Sequence, residues 1–349
     1  MTARPMNLVW MCPAVGKPVG GVKVIYRQAV LADALLRRTG QGQSVVMHPN
    51  TWRSKAPWFD GEVPVRRQWF GFQWAGKPSL SDVSRVFDPA VDTVIIPELW
   101  VRKYGVQLHR LGVRYAIYVQ NGYFISKGER QDLEQAYAQA HCIMVVSEDA
   151  QRCVEMAFPQ ARTPIHRIHC SIDAQRFCVD SSVDKERLIT YMPRKLSDHS
   201  SKVLFFLPAQ LPPHWRIEAI DRLGEAQVAK VLQRSRIFMS FSHFEGLGLP
   251  PLEAALCGNQ VVGYTGQGGK EFWLPSAFTE IEMGDVLGYA QAVAALARQI
   301  DAGHQAPPEP GLLQTLQTRY GADQEHQDLQ ALLALLAAAP QSSSTRLAG

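Results

Sequence analysis

The sequence predicts an α/β protein of two domains, each a parallel sheet covered on both faces by helices. Three observations carry this expectation. The chain has 349 residues, more than one ordinary domain and enough for two. Short runs of β-branched and apolar residues alternate with stretches of helical spacing, the order that builds parallel sheets. That alternation runs twice along the chain, and the second pass begins near Arg187.

In the first pass, Asn7–Met11 (NLVWM) is a short buried strand, followed by a Gly/Pro loop from Pro13 to Gly21. Val22–Arg38 has apolar residues at helical spacing and is a helix. Ser44–Met47 is a second strand, and Thr93–Ile96 (TVII) is a third that runs out into a loop at Pro97. Arg114–Val119 (RYAIYV) is a strand ending at Gln120-Asn121-Gly122, and Glu129–Ala140 is a helix. Cys142–Val146 is a strand, with Ser147 placed to cap the helix after it.

In the second pass, Leu188–Met192, Trp215–Ile220, Ile237–Phe241 and Gln260–Tyr264 are strands. Ser197–Phe206, Asp221–Arg234 and Gly248–Cys257 are helices, the last with two prolines at its start, where proline is tolerated. Two helices, near Val286–Ile300 and Gln324–Ala338, close the chain. The expected division is a first Rossmann-like domain over 1–170, a second over 171–310, a helical segment over 311–338 and a disordered tail over 339–349. Two such halves are expected to face each other across a cleft at the carboxyl ends of their strands.

Composition narrows the function classes. Hydrophobic residues make up 46% and charged residues 19%, which excludes a disordered or fibrous chain. No apolar run reaches the roughly 20 residues that span a bilayer. The N-terminus lacks the apolar core of a secretory signal, and the six cysteines match no zinc or disulfide framework, so the expectation is a cytoplasmic protein with reduced thiols. The net charge of +4 hides an asymmetry: residues 1–170 hold 21 Lys+Arg against 13 Asp+Glu, and the remainder is acidic. A basic first half suits a phosphate-bearing acceptor or peripheral contact with an anionic membrane. Nucleic acid is not expected, because there is no dense Lys/Arg tract.

The most informative stretch is Ser242-His243-Phe244-Glu245-Gly246-Leu247-Gly248-Leu249-Pro250-Pro251-Leu252-Glu253. It follows a strand and opens a helix. Glycines there expose backbone N–H groups where the helix dipole is positive, a setting that suits phosphate. Glu245 is expected in the loop before the glycines. Glu253 is expected further into the helix; of the two carboxylates, one can address a sugar beyond the phosphates and the other can hold a ribose diol, and the order follows only from the resemblance given next. Gly16-Lys17 lacks the Gly-x4-Gly-Lys-[Ser/Thr] order of a P-loop, and Pro251 in the third glycine's place of Gly-x-Gly-x-x-Gly disfavours a nicotinamide dehydrogenase. His166 and His169 fall on opposite faces of a strand and are not expected to bind metal together.

This stretch resembles the retaining family-4 type of GT-B glycosyltransferase, whose Glu-x7-Glu pattern is matched by Glu245 and Glu253. The resemblance is specific over residues 235–272, where Gly266-Gln267-Gly268-Gly269-Lys270-Glu271 is similar to the family's second glycine-rich loop. It is looser elsewhere. Gly20-Gly21 resembles the N-terminal Gly-Gly loop, Ser171-Ile172-Asp173-Ala174-Gln175-Arg176-Phe177 resembles the interdomain segment, and Arg194-Lys195 stands where the family keeps a basic pair. The interval from Arg194 to Glu245 is short, so the second domain is expected to be a shortened one. Gln120 and Asn121 stand where many members carry a histidine.

The resemblance implies transfer of a sugar from a nucleoside-diphosphate sugar to a glycan or lipid-linked acceptor, with retention, in bacterial surface-polysaccharide assembly. Glu245, Arg194 and Lys195 would be catalytic. Glu253, the Gly246, Leu247 and Gly248 amides, Gly20 and Gly21 would bind the donor, and Gln120 and Asn121 would contact donor sugar or acceptor. No cofactor and no metal is expected, since the sequence has no Asp-x-Asp. A GT-B sugar-nucleotide epimerase and a catalytically weak GT-B scaffold that binds a nucleotide sugar or a partner enzyme stay open. An aromatic and basic cluster, Trp52, Trp58, Phe59, Trp69, Phe70, Phe72 and Trp74 with Lys55, Arg66, Arg67 and Lys77, is either packed core or an acceptor or membrane-interface surface.

Overall fold

The computed structural model describes residues 6–49, 55–66, 79–304 and 309–338. They form two compact units. The first draws on Met1–Val145, Gln151–Ile168 and His326–Gly349, the second on Val146–Ala150 and His169–Glu325.

The first unit contains β1 (Met6–Met11), α1 (Gly20–Arg38), β2 (Gly42–Met47), β3 (Val65–Arg66), α2 (Leu80–Ser84), β4 (Asp92–Pro97), α3 (Val101–Arg110), β5 (Arg114–Val119), α4 (Arg130–Gln139), β6 (Cys142–Val145), most of α5 (Glu148–Ala157) and β7 (Ile165–Arg167). Its seven strands are all parallel in the order β3-β2-β1-β4-β5-β6-β7. Central strands of such a sheet are covered on both faces, which explains their unbroken apolar runs. Leu8, Val9, Trp10, Ile95, Ile96, Ile117 and Tyr118 are all buried. Trp10 satisfies its indole N–H on Ser44 Oγ at 2.9 Å.

The second unit contains β8 (Leu188–Tyr191), α6 (Ser197–Phe206), β9 (Arg216–Ala219), α7 (Glu225–Arg234), β10 (Ile237–Glu245), α8 (Leu249–Leu256), β11 (Gln260–Gln267), β12 (Phe278–Glu280), α9 (Val286–Asp301) and α10 (Pro310–Arg319). The chain then runs along α11 (Ala322–Ala337), most of which clusters with the first unit. The second sheet has five parallel strands in the order β12-β11-β10-β8-β9. Its core gathers Ile189, Ile237, Met239, Phe241, Tyr264 and Tyr289, with the Tyr289 hydroxyl donating to the Val262 and Ser240 carbonyls at 2.8 and 3.0 Å.

Both sheets reverse their strand order beside their first strand, between β1 and β4 and between β8 and β10. Ligands of open α/β sheets bind at the carboxyl ends of strands at such switch points. The chain after β1 carries Gly20-Gly21, and the chain after β8 carries Arg194-Lys195.

Several elements differ from expectation. β10 and β11 continue to Glu245 and Gln267, beyond the expected ends at Phe241 and Tyr264, because they remain paired to those residues. Helix α7 begins at Glu225, behind Gly224 in an extended conformation. Helices α3 and α10 and the short strands β7 and β12 were not expected. Ser147 caps α5 as predicted, its Oγ accepting the Ala150 N–H at 3.0 Å. In the aromatic cluster, Trp58 stacks on Tyr26 and donates to the Val15 carbonyl at 3.3 Å. Trp52, Arg67, Trp69, Phe70, Phe72, Trp74, Lys77 and the tail 339–349 lie outside the described residues. All six cysteines are free, and among the described residues no helix is long and apolar enough to cross a membrane.

Candidate active site

In the second unit, the chain leaves β8 through Met192-Pro193 and presents Arg194 and Lys195 in succession. The chain turns and bends through these two residues before it enters α6. Arg194 is exposed and makes no ion pair with a described residue. The Lys195 Nζ donates to Glu245 Oε1, with side chains 40% and 22% exposed. This pair joins two residues fifty positions apart.

Glu245 is the last residue of β10 and so lies on a strand, not in the loop where the sequence reading put it. The β10–β11 register shifts between Ser242 and Glu245, a bulge that re-aims the side chains after it. Phe244, inside the bulge, has a φ of 43°.

Gly246, Leu247 and Gly248 turn the chain from β10 into α8. Gly248 is the N-cap at φ 83°, a left-handed conformation that glycine adopts without strain. Among the described residues, none accepts from the backbone N–H of Gly246, Leu247 or Gly248. Helix α8 has no side-chain cap. Pro250 and Pro251 remove two of the N–H groups that an α-helix start ordinarily offers. The donors left for an anion are therefore concentrated in Gly246–Leu249.

The Gly246 carbonyl is approached closely by Gly268 of the following loop. A Cβ on Gly268 would stand 2.0 Å from the Gly246 oxygen and 2.7 Å from that of Glu245. The two glycine-rich segments therefore pack backbone on backbone. Glu253 is the fifth residue of α8, half-buried between the buried Leu252 and Ala254. The far end of α8 is fixed by Lys185, whose Nζ donates to the carbonyls of Cys257, Ser235 and Leu232 at 2.6, 2.7 and 3.2 Å. Burial pulls that ammonium down to about 8.

Glu271, at the end of the second glycine-rich segment, has a structural task. Its buried carboxylate accepts from the Glu148 N–H at 2.8 Å and the Tyr320 hydroxyl at 2.6 Å. Ser171 and Ile172 are tied to a distant part of the chain: Ser171 Oγ donates to Glu325 at 2.6 Å, and the Ile172 N–H to the Tyr320 carbonyl at 2.9 Å.

In the first unit, Gly20 and Gly21 open α1, which has no side-chain cap. Gln120 follows β5, and its Nε2 donates to the Gly21 carbonyl at 3.1 Å. A Cβ on Gly21 would stand 2.8 Å from Gln120 Oε1, so the glycine admits the amide. Asn121 is committed locally, its Oδ1 accepting the Tyr123 N–H at 2.9 Å to cap a 3-10 turn. The structure thus brings Gly21 and Gln120 together, and Lys195 and Glu245 together.

Sequence reading missed two buried polar groups at the carboxyl end of the first sheet. Glu98, just after β4, accepts the Gln120 N–H at 3.3 Å, and burial pushes its carboxyl up to about 7. His48, just after β2, bonds the Tyr26 hydroxyl at 3.0 Å and the Cys12 carbonyl at 2.9 Å, and burial lowers its pKa. The only sequence signal for either was a polar residue directly after an apolar strand. His166 and His169 do not converge: His166 bonds the Asp328 carbonyl at 2.8 Å, and His169 packs against Tyr320. Among the described residues no three His, Cys, Asp or Glu side chains gather where they could hold a metal.

The fold is that of GT-B glycosyltransferases, two Rossmann-like domains with parallel sheets of seven and five strands. No protein-family model and no curated protein sequence matches the chain. Solved structures do. A sucrose-phosphate synthase from Thermosynechococcus elongatus is 13% identical, with a TM-score of 0.68 over 95% of this chain and 99% of that one. HepE of Anabaena in complex with UDP-glucose is 14% identical, with a TM-score of 0.68 over 94% and 99%. The pneumococcal O-GlcNAc transferase GtfA, in complex with UDP and GlcNAc, is 10% identical, with a TM-score of 0.63 over 95% and 98%.

Proposed function

We propose that the protein is a glycosyltransferase that moves a sugar from a nucleoside-diphosphate sugar to a glycan or lipid-linked acceptor. The single observation that carries the reading is the β10–α8 junction. Three backbone N–H groups without a described acceptor stand at this junction of the second unit, where the glycine segment after β11 packs against it, Lys195 pairs with Glu245, and Glu253 follows on α8. Fixed amides act on a charged leaving group without reorganising as the reaction proceeds.

In this reading the Gly246, Leu247 and Gly248 amides hold the donor diphosphate, with Arg194 and Lys195 supplying charge. Arg194 is exposed and open to a bidentate phosphate contact, while Lys195 exchanges Glu245 for phosphate as a point charge. Glu245 addresses the donor sugar, and Glu253 takes the ribose diol. Gly20, Gly21 and Gln120 belong to the donor sugar or acceptor, and Asn121 shapes the turn beside them.

The acceptor hydroxyl oxygen bonds to the anomeric carbon on the face that the diphosphate leaves. The bond from that carbon to the phosphate oxygen breaks, and the departing oxygen takes the hydroxyl proton. Configuration is retained, no metal is required, and the family-4 type is the nearest description. UDP is the first nucleotide to test because the HepE and GtfA structures contain it. Polysaccharide assembly at an anionic cytoplasmic membrane face fits the basic balance of residues 1–170.

The test is release of nucleoside diphosphate from a nucleotide sugar in the presence of a glycan acceptor. Glu245→Ala should lower turnover and leave nucleotide affinity near the wild-type value. Acceptor-independent interconversion of the sugar would favour the epimerase reading, and binding without turnover the scaffold.

A further inference from the structure

Glu98 takes no part in the β10–α8 junction, yet the first unit buries it directly after β4, with 4% of its surface exposed. Burying a carboxyl group costs stability unless polar partners compensate. Here the compensation comes from the main chain: the backbone N–H groups of Gln120 and Asn121 donate to it, the first at 3.3 Å. Buried, perturbed acids of this kind gather at functional sites.

What Glu98 holds is the start of the turn after β5. The Gln120 side chain leaves that turn and donates from Nε2 to the Gly21 carbonyl at 3.1 Å. The two ends of an amide are told apart by the bonds they make, so this contact fixes where the oxygen points. Gln120 is half-buried, and its Oε1 accepts from none of the described residues. A Cβ on Gly21 would stand 2.8 Å from Oε1, and a Cβ on Gly20 would meet nothing within 4 Å. The glycine pair therefore leaves room beside that oxygen. Gly21, Glu98 and Gln120 follow β1, β4 and β5, three neighbouring strands at the point where the strand order reverses. Ligands of open α/β sheets bind at such places.

We propose that Glu98 is a positioning residue, which holds Gln120 so that its Oε1 accepts a hydrogen bond from a pyranose hydroxyl. The chain of contacts runs from the buried carboxyl group through the Gln120 backbone to its side chain and on to Gly21. With Nε2 committed to Gly21, the amide offers only an acceptor, and a sugar hydroxyl supplies the matching donor. The inference rests on the reading of the protein as a glycosyltransferase. Donor and acceptor both supply pyranose hydroxyls, and the experiment separates them.

Calorimetry would use whichever of UDP, GDP, ADP and dTDP binds best, its glucose and N-acetylglucosamine conjugates, and free glucose in the presence of that nucleotide. The proteins are wild type, Glu98→Ala, Glu98→Gln, Gln120→Ala, the double variant Glu98→Ala with Gln120→Ala, and Glu253→Ala. Glu98→Ala and Gln120→Ala should bind the nucleotide within about twofold of wild type and bind sugar at least about threefold more weakly, the size of one lost hydrogen bond. The double variant should bind sugar within about twofold of Gln120→Ala alone, because Glu98 acts through that side chain. Glu98→Gln keeps an acceptor oxygen and should retain the wild-type affinity. A merely structural role would lower the fraction of competent protein, read as the stoichiometry, and leave the affinity of that fraction unchanged. Glu98→Asp, which withdraws the carboxylate by one methylene, gives the same reading should the alanine variant fail to fold. A loss for the conjugates assigns Oε1 to the donor sugar, and a loss for glucose assigns it to the acceptor.

Unchanged affinity for every sugar in Glu98→Ala would overturn the positioning role. So would additive losses in the double variant, or a Glu98→Gln as weak as Glu98→Ala. If no nucleotide binds, or Glu253→Ala changes nothing, the donor-site reading falls and the positioning role with it. Nucleotide binding lost in Glu253→Ala, with sugar affinity unmoved in the Glu98 and Gln120 variants, removes the positioning role alone.

Discussion

Replacing Glu98 with Gln should remove a pH dependence from the stability of the protein. Glu98 is 4% exposed and accepts the Gln120 N–H, the residue whose side chain in turn holds Gly21. Burial pushes its carboxyl from an ordinary 4.5 up to about 7, although backbone N–H groups of Gln120 and Asn121 and the nearby Lys127 charge pull the other way. Between those two values the folded chain keeps a proton that the unfolded chain has released. The unfolded state then binds fewer protons, so stability falls as pH rises through this window. The full contribution is present below 4.5 and is lost above about 7. At about 1.4 kcal/mol per pH unit the loss is of order 3 kcal/mol. Glu98→Gln does not titrate, and every other group cancels in the difference. Urea denaturation of both proteins from pH 4.5 to 8 should show the variant gaining about that much on wild type. Parallel curves across the whole range would refute the reasoning, as would a carboxyl carbon resonance of Glu98 that titrates near its ordinary value.

Gly268→Ala should weaken nucleotide binding at least about tenfold, because its Cβ cannot coexist with the Gly246 oxygen 2.0 Å away and the amide-bearing turn must move; calorimetry checks it, and a wild-type isotherm would count against the packed glycine segments. Lys195→Met should change folding stability by less than about 1 kcal/mol, since the pair with Glu245 is partly exposed, yet cost about tenfold or more in nucleotide affinity; a melt and a titration on one sample separate the two effects. Co-sedimentation with vesicles should rise with their phosphatidylglycerol content and fall with salt, and independence from both would remove the membrane role.

What could be read from the sequence depended on how locally each feature is encoded. The bounds of β5, Arg114–Val119, and of α6, Ser197–Phe206, were legible because apolar runs and helical spacing are local signals. β10 outran its expected end because Ser242-His243-Phe244 has no strand pattern of its own and is held by pairing with β11 across the bulge. Helix α3 follows β4 after only a 3-10 turn and has no capping side chain, so nothing announced its start. Strands β7 and β12 have three residues each, too few to show a period.

The candidate site divides the same way. Glycines at a strand-to-helix junction are visible in sequence, because their spacing is the signal. The Lys195–Glu245 pair, the Gln120–Gly21 bond and the buried Glu98 depend on residues separated by fifty, ninety-nine and twenty-two positions. Only the fold brings them together, and Glu98 in particular looks like any other carboxylate until its burial is known.

The most direct test of the central claim is calorimetry of UDP with wild type and Glu253→Ala in the presence of EDTA. The account predicts a wild-type isotherm that EDTA leaves unchanged, and at least about tenfold weaker binding in the variant, as expected for losing a charged hydrogen-bond acceptor. Equal binding by the two proteins, or wild-type binding abolished by EDTA, would contradict it.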